Sequence, residues 1–250
     1  MTKSARLEMK EHITSTEKKQ LYVNQMFATI APRYNLVTSL LSYGRDKRWK
    51  RQLVELARIE PQHEILDLAC GTGDITFMLA EKLTHGRVIG VDISAAMLEI
   101  ARQKKRQLGL KTIEFESGDI MHLAFSESCF DRITVGYGLR NVPDLSKLLE
   151  EIFRLLKPGG RFLSLDFGKP PNRVYRAVYL EYLTVVGSAL GWILHGNADI
   201  YRYIPESLKL YPAQEGVKAL MDAIGFVNTG YTCYLGGAIA INYGTKYSVS

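Results

Sequence analysis

With 250 residues, 46% hydrophobic and 23% charged, the chain can bury one substantial core, and its composition excludes a disordered or fibrous protein. Its three cysteines, Cys70, Cys129 and Cys233, form no CxxC pair and have no histidine cluster nearby, so a zinc module and a disulfide framework are excluded, no metal is expected, and a reducing cytoplasm is the expected compartment. The formal charge of +6 is confined to the first sixty residues, with twelve Lys/Arg against six Asp/Glu, while the remainder is balanced at twenty each.

The segment Met1 to Gln20 is polar, without the apolar run of a signal peptide. Helical spacing of Leu21, Val23, Met26, Phe27 and Ile30 predicts a helix ended by Pro32. Tyr34 to Leu41 reads as a second helix, Ser42-Tyr43-Gly44 as a turn and Lys47 to Arg58 as a third helix. This last helix begins in Arg45-Asp46-Lys47-Arg48-Trp49-Lys50-Arg51, five cations around a tryptophan that suit solvent, anionic lipid or RNA. No RRM, KH or helix-turn-helix signature supports nucleic acid as the partner. Residues 1–60 are expected to form a helical cap and 61–250 the catalytic domain, with an insertion at 170–210 serving the acceptor site.

From Glu64 strands and helices alternate, which predicts an α/β fold built on a doubly wound, mostly parallel sheet. Glu64 to Leu68 is a short buried strand, Ala69 to Gly73 a small-residue turn, and Asp74 opens a helix to Leu83. Further strands are expected at Arg87–Val91, Thr112–Ser117 and Phe130–Val135, with a helix at Ala95–Leu108 between the first two. Ligands of such sheets lie beyond the carboxyl ends of the strands, so Asp67, Asp92, Asp119 and Gly136 should converge. Asp92 follows the glycine turn by about twenty residues, where an acid accepts hydrogen bonds from ribose hydroxyls. A dinucleotide fingerprint would need a glycine where Thr76 stands, the acid Asp74 occupies the helix start where a pyrophosphate would lie, and no phosphate loop is present. A cationic nucleoside such as S-adenosylmethionine fits better, with Asp67 and Asp74 favouring its charge.

These residues resemble a known group. Asp67-Leu-Ala-Cys-Gly-Thr-Gly73 resembles motif I of the class I S-adenosylmethionine-dependent methyltransferases, and Leu156-Lys-Pro-Gly-Gly160 their turn before strand five. Gly138-Leu-Arg-Asn-Val-Pro-Asp144 resembles the signature of the UbiE/COQ5 quinone C-methyltransferases, and so do Phe27 to Asn35, Ser42-Tyr43-Gly44 and Tyr201 to Ser207. The resemblance implies a seven-stranded sheet with one antiparallel C-terminal strand, and methyl transfer to a ring carbon of a demethylated prenyl quinol in menaquinone or ubiquinone synthesis. It implies cofactor binding by Asp67, Ala69, Gly71, Thr72, Gly73, Asp92, Ile93, Asp119, Ile120 and Gly136. Gly136 stands where the family often has serine.

Catalysis is implied for Arg140 and Asn141, organising a water and a phenolate, since arginine cannot itself be the base. Acceptor contacts are expected from Tyr43, Tyr137, Arg140, His195, Tyr201 and Tyr203; for Arg140 the competing reading is a structural salt bridge to Asp144. The apolar run Ala177 to Leu194 is near the length of a membrane span and has a Gly187-xxx-Gly191 spacing, but strands of the same sheet follow it, so a core or tail-tunnel helix is expected. Peripheral contact with the inner face of the membrane and a homodimer remain open expectations. A dinucleotide oxidoreductase, an RNA-directed basic protein and another small-molecule methyltransferase are the rival readings.

Overall fold

The computed structural model describes residue 26, residues 29–42 and residues 44–247, without the side chains of 34–36. Among the described residues, α1 (Tyr34–Leu41) and α2 (Asp46–Leu56) precede the sheet where the spacing predicts its second and third helices, while the first predicted helix lies, but for residue 26 and residues 29–31, outside the described residues. Then follow β1 (Glu64–Leu68), α3 (Asp74–Ala80), β2 (Arg87–Asp92), α4 (Ala95–Leu108), β3 (Ile113–Ser117), β4 (Phe130–Gly136), α5 (Leu145–Leu155) and β5 (Leu156–Phe167). The chain closes with α6 (Arg173–His195), α7 (Asp199–Leu210), α8 (Ala213–Ile224), β6 (Phe226–Tyr234) and β7 (Ile239–Lys246).

The seven strands form one sheet in the order β3-β2-β1-β4-β5-β7-β6, parallel except where β7 pairs antiparallel with both β5 and β6. This is the expected class, with its single reversed strand. Central strands covered by helices on both faces lose the in-out alternation of a half-exposed sheet: in β1 every residue from Ile65 to Leu68 is buried. Capping residues explain where helices start and stop. Ser94 accepts the Met97 N–H at the head of α4 and Asp144 the Lys147 N–H at the head of α5, while Gly109, Gly196 and Gly225 end α4, α6 and α8 in the left-handed conformation.

The pair α6 and α7 is packed unusually close. Pro205 lies inside α7 and has no N–H to donate to the Tyr201 carbonyl one turn back, and that carbonyl lies against Gly187 of α6, 3.2 Å from where a Cβ would be. At Gly191 the Asn197 carbonyl of the turn between α6 and α7 lies 2.5 Å from where a Cβ would be. The Gly-xxx-Gly spacing therefore serves packing inside the molecule, where close backbone approach needs residues without side chains. Over most of its length α6 is nevertheless solvent-exposed on its other side, with Val174, Val178, Val185, Trp192 and Ile193 uncovered. The expectation of a core helix is corrected to that extent: only 22% of its most apolar stretch is buried. Met26, Ile30, Val37 and Leu41 of the N-terminal segment pack on Met97, Ile200, Tyr201 and Tyr203, so α1 and its approach lie across the ends of α4 and α7.

Candidate active site

The strand order reverses between β1 and β4, and the loops beyond these two strands carry backbone strain. Ala69 after β1 and Tyr137 after β4 both have positive φ, 52° and 58°, at a cost of about 1–3 kcal/mol each for residues with a Cβ. Gly73, at φ 81°, turns the chain into α3; a Cβ there would lie 2.9 Å from the Phe77 ring and 3.0 Å from Phe115, so only glycine fits. At Gly136 a Cβ would strike Ile75 Cδ1 at 2.3 Å: the isoleucine side chain fills the volume that a side chain at this position would take.

A cavity of about 120 Å³ opens at this switch point. Asp67, Ala69, Gly71, Thr72, Asp92, Ile93, Asp119, Ile120 and Gly136 all line it, whereas Gly73 shapes the turn without facing the space. The four strand ends singled out from the sequence do meet. Their carboxylates differ in what they are left to do. Asp67 accepts the hydroxyls of Thr76 at 2.6 Å and Thr134 at 2.7 Å, and burial pushes its pKa up to about 6, so it serves chiefly as an internal brace between β1, α3 and β4. Asp92 accepts the backbone N–H of Gly71 on one oxygen and of Ser94 on the other, each at 2.8 Å; burial raises its pKa, and each oxygen retains capacity for a further donor. Asp119 accepts the Met121 N–H at 2.9 Å and lies 3.3 Å from His122. Asp74 is paired with Lys50 at 2.9 Å and Lys104 at 3.6 Å, so its charge is compensated to a degree the sequence reading did not foresee.

Asn141 holds the Tyr137 carbonyl with its Nδ2 at 3.2 Å, which turns its Oδ1 inward; that oxygen is buried with no hydrogen-bond partner among the described residues. An orphaned acceptor is costly unless a bound donor satisfies it. With four carboxylates and one ammonium on the walls, the cavity suits a cationic ligand that carries hydroxyl and N–H donors.

A second cavity, of about 290 Å³ and mostly apolar, lies beside the first, and Tyr137 lines both. Its walls come from Met26, Ile30, Val37, Leu41 and Trp49 on one side and from Tyr179, Tyr182, Tyr201, Tyr203 and Ile204 on the other. Arg140 is its cationic group. The guanidinium is buried, donates from Nη1 to Asp166 at 2.7 Å and to the Tyr137 carbonyl at 2.6 Å, and stacks over Phe167 at 5.0 Å. Asp166 also accepts the Arg140 backbone N–H at 3.3 Å. The salt bridge weighed for Arg140 exists with a different acid: Asp144 caps α5 instead.

Tyr201 and Tyr203 reach this cavity, but His195 does so only through Tyr201, whose hydroxyl lies 3.0 Å from His195 Nε2. Burial and then the nearby Arg33 lower the His195 pKa, and burial raises that of Tyr201 to about 12, so at neutral pH both are uncharged. Tyr43 falls outside the described residues. Sequence reasoning missed Asp166, although it stands next to last in β5 as Asp67 does in β1, and the carboxyl-end rule would have found it. Lys50 was hidden among the five cations of residues 45–51, and Tyr179 and Tyr182 within a run read only for its hydropathy.

Residues 14–246 match the model of the ubiE/COQ5 methyltransferase family. The chain belongs to that family. A demethylmenaquinone methyltransferase of Thermus thermophilus is 42% identical over 88% of this chain and 100% of its own length. A ubiquinone/menaquinone biosynthesis C-methyltransferase of Marinomonas is 37% identical over 93% of each chain. Among solved structures, a SAM dependent methyltransferase from Aquifex aeolicus has the same fold, with a TM-score of 0.58 at 18% identity over 79% of this chain and 89% of its own. The catalytic sheet is thus that of a methyltransferase of the class expected from Asp67 to Gly73.

Proposed function

We propose that the enzyme transfers the methyl group of S-adenosylmethionine to a ring carbon of a demethylated prenyl quinol, either demethylmenaquinol or the 2-polyprenyl-6-methoxy-1,4-benzoquinol of ubiquinone synthesis. The observation that carries this reading is the junction at Tyr137: an acid-lined cavity at the glycine loop meets an apolar cavity whose one cation among the described residues is Arg140. S-adenosylmethionine, when bound, supplies an electrophilic methyl on a sulfonium. Asp92 would take the ribose hydroxyls, Ile93, Asp119 and Ile120 would flank the adenine, and Ala69 to Thr72 would lie along the nucleoside.

The acceptor ring enters the apolar cavity with a hydroxyl toward Arg140. Loss of the hydroxyl proton places charge on the ortho carbon, which would attack the methyl as its bond to sulfur breaks and S-adenosylhomocysteine leaves; the ring C–H proton then passes to the water beside Asn141 and aromaticity returns. Arg140, fixed by Asp166, stabilises the phenolate in surroundings where a charge interaction is strong. The quinol proton passes to Tyr201 as Tyr201 hands its own to neutral His195, whose ring lies at the solvent-facing end of α6. Asn141 offers Oδ1 to the water that the family resemblance implies at this point.

The apolar walls suit the first isoprene units, and Tyr175, Val178 and Leu235, which line the cavity, are also exposed at its mouth. We therefore assign the described part of residues 26–60, together with 170–210, to the acceptor enclosure, and place the enzyme in the cytoplasm with the α6 face against the membrane. The test is to offer the purified protein labelled S-adenosylmethionine with reduced demethylmenaquinone and with the ubiquinone precursor. Ring methylation of one or both is expected; methylation of neither overturns the reading.

A further inference from the structure

Consecutive residues of α2 face the two cavities. Trp49 lines the apolar one and Lys50 the one at the glycine loop. Lys50 is buried to 4% exposure, an unusual position for a lysine, with its ammonium 3.0 Å from Asp46 on its own helix and 2.9 Å from Asp74 at the start of α3. Asp46 is also buried, and its backbone N–H is held by Ser42 at 3.2 Å. Lys104 reaches the other Asp74 oxygen at 3.6 Å from α4. A buried lysine held this way serves as a fixed charge, since separating it from its partners would leave an uncompensated ion in a poor solvent.

Sheet order says which part of the cofactor meets it. Strands lie side by side in the order β3, β2, β1, β4, so Asp119, Asp92, the glycine loop and Gly136 follow one another across the cavity. With the ribose on Asp92 and the base outward beside Asp119, the sulfonium and its amino-acid arm point inward, toward the loops after β1 and β4. Lys50 reaches the cavity there from α2, which packs on α3 and β5.

We propose that Lys50 and Asp74 form the receptor for the amino-acid end of the cofactor, Lys50 taking the α-carboxylate and Asp74 the α-ammonium. A zwitterion inserted into an existing ammonium–carboxylate pair leaves the local charge unchanged, so neither side chain has to titrate or be stranded. Because Lys50 belongs to α2, its engagement pins the helix that also presents Trp49 to the acceptor. Cofactor binding thereby completes the wall against which the ring is placed.

This inference rests on S-adenosylmethionine occupying the glycine-loop cavity, and the test separates the two. Binding to the full chain is measured calorimetrically with S-adenosylhomocysteine and with 5′-methylthioadenosine, which keeps the nucleoside and the sulfur but has no amino-acid arm. Lys50→Met should weaken S-adenosylhomocysteine by about 10-fold or more, the value of one charge-assisted hydrogen bond, and leave methylthioadenosine within about 2-fold. Lys50→Arg should recover part of the loss. Equal weakening of both ligands, or of neither, overturns the assignment while leaving the cofactor reading intact; a wild-type chain that binds neither ligand overturns both. Lys50→Gln, which keeps a donor between Asp46 and Asp74, replaces Lys50→Met if that variant does not fold.

Discussion

Arg140 is the residue whose replacement separates chemistry from binding most cleanly, because it faces the acceptor cavity and takes no part in the walls at the glycine loop. Arg140→Ala should lower kcat by about 10²–10³-fold, the usual cost of one donor aimed at a developing oxyanion, with S-adenosylhomocysteine affinity within about 2-fold of wild type. Parallel loss of both, by turnover assay and calorimetry, would remove Arg140 from the chemistry. His195 makes a prediction in pH. It can accept the proton from Tyr201 only while neutral, and its pKa lies below 6.5, so kcat/KM should be level above 6.5 and fall with unit slope on the acid side; in His195→Gln the rate should drop and that acid limb should vanish. Asp67 predicts a stability effect of the opposite kind to a salt-bridged acid. Its folded pKa of about 6 exceeds the ordinary 3.8, so its contribution is fully present below 3.8, declines between 3.8 and 6, and above 6 the buried charge costs about 3 kcal/mol. In Asp67→Asn, denaturation midpoints should lose that pH dependence. Of these three groups the sequence reading had marked each, because strand ends, the Gly138–Asp144 stretch and a histidine closing a long apolar run announce themselves; it could not give their partners, since Asp166, Thr134 and Tyr201 are matched to them only by the fold.

Elements were legible to the extent that one period dominated them. The buried runs of β1, β2 and β4 and the capped helix α4 were read with bounds within about a residue or two of those found. The helix α7 was not, because Pro205 inside it reads locally as a break, and its helical form is sustained by packing on α6. Gly187 and Gly191 show the same limit from the other side: their spacing is visible in sequence, but whether it serves lipid or protein is decided by what lies opposite. The α7 backbone lies opposite Gly187, and the turn that leads into α7 lies opposite Gly191. Gly191→Val would drive a branched side chain into the Asn197 carbonyl, 2.5 Å from the Cβ position, and should cost about 1–3 kcal/mol in urea denaturation, as overpacked contacts do. Catalytic decline should accompany it, since Tyr201 and Tyr203 ride on α7, which that turn positions; unchanged stability would mean that the turn after α6 does not close on Gly191 as described.

At the scale of the whole molecule, the surplus positive charge and the most apolar helix come together on one side. Arg45, Lys47, Arg48 and Arg51 are exposed on α2 while Lys50 turns inward. Arg48 is close enough to Tyr234 to lower that phenol's otherwise burial-raised pKa, and the neighbouring Leu235 carbonyl accepts the Tyr175 hydroxyl at 3.0 Å from the start of α6. From there the uncovered residues of α6 run from Val178, 62% exposed and on the lip of the acceptor cavity, to Trp192, 69% exposed. The proposed contact with a bilayer of anionic headgroups would satisfy both features at once: cations would meet phosphates within a Debye length, apolar side chains would enter the interface, and a lipid-dissolved quinol would reach the cavity without crossing water. A second copy of the chain would cover the apolar face and would gain nothing from the cations. Wild-type protein should therefore sediment with phosphatidylglycerol vesicles more than with phosphatidylcholine vesicles, and less so as salt rises. The double variant Val185→Glu, Trp192→Glu leaves the cavity lining untouched, and should lower vesicle binding by about 10-fold or more. Its kcat/KM should fall in proportion for a long-tailed quinol embedded in vesicles and stay at the wild-type value for a short-tailed, water-soluble analogue. Equal loss on both substrates would assign the face to folding, and no loss of vesicle binding would take the membrane off this side of the molecule.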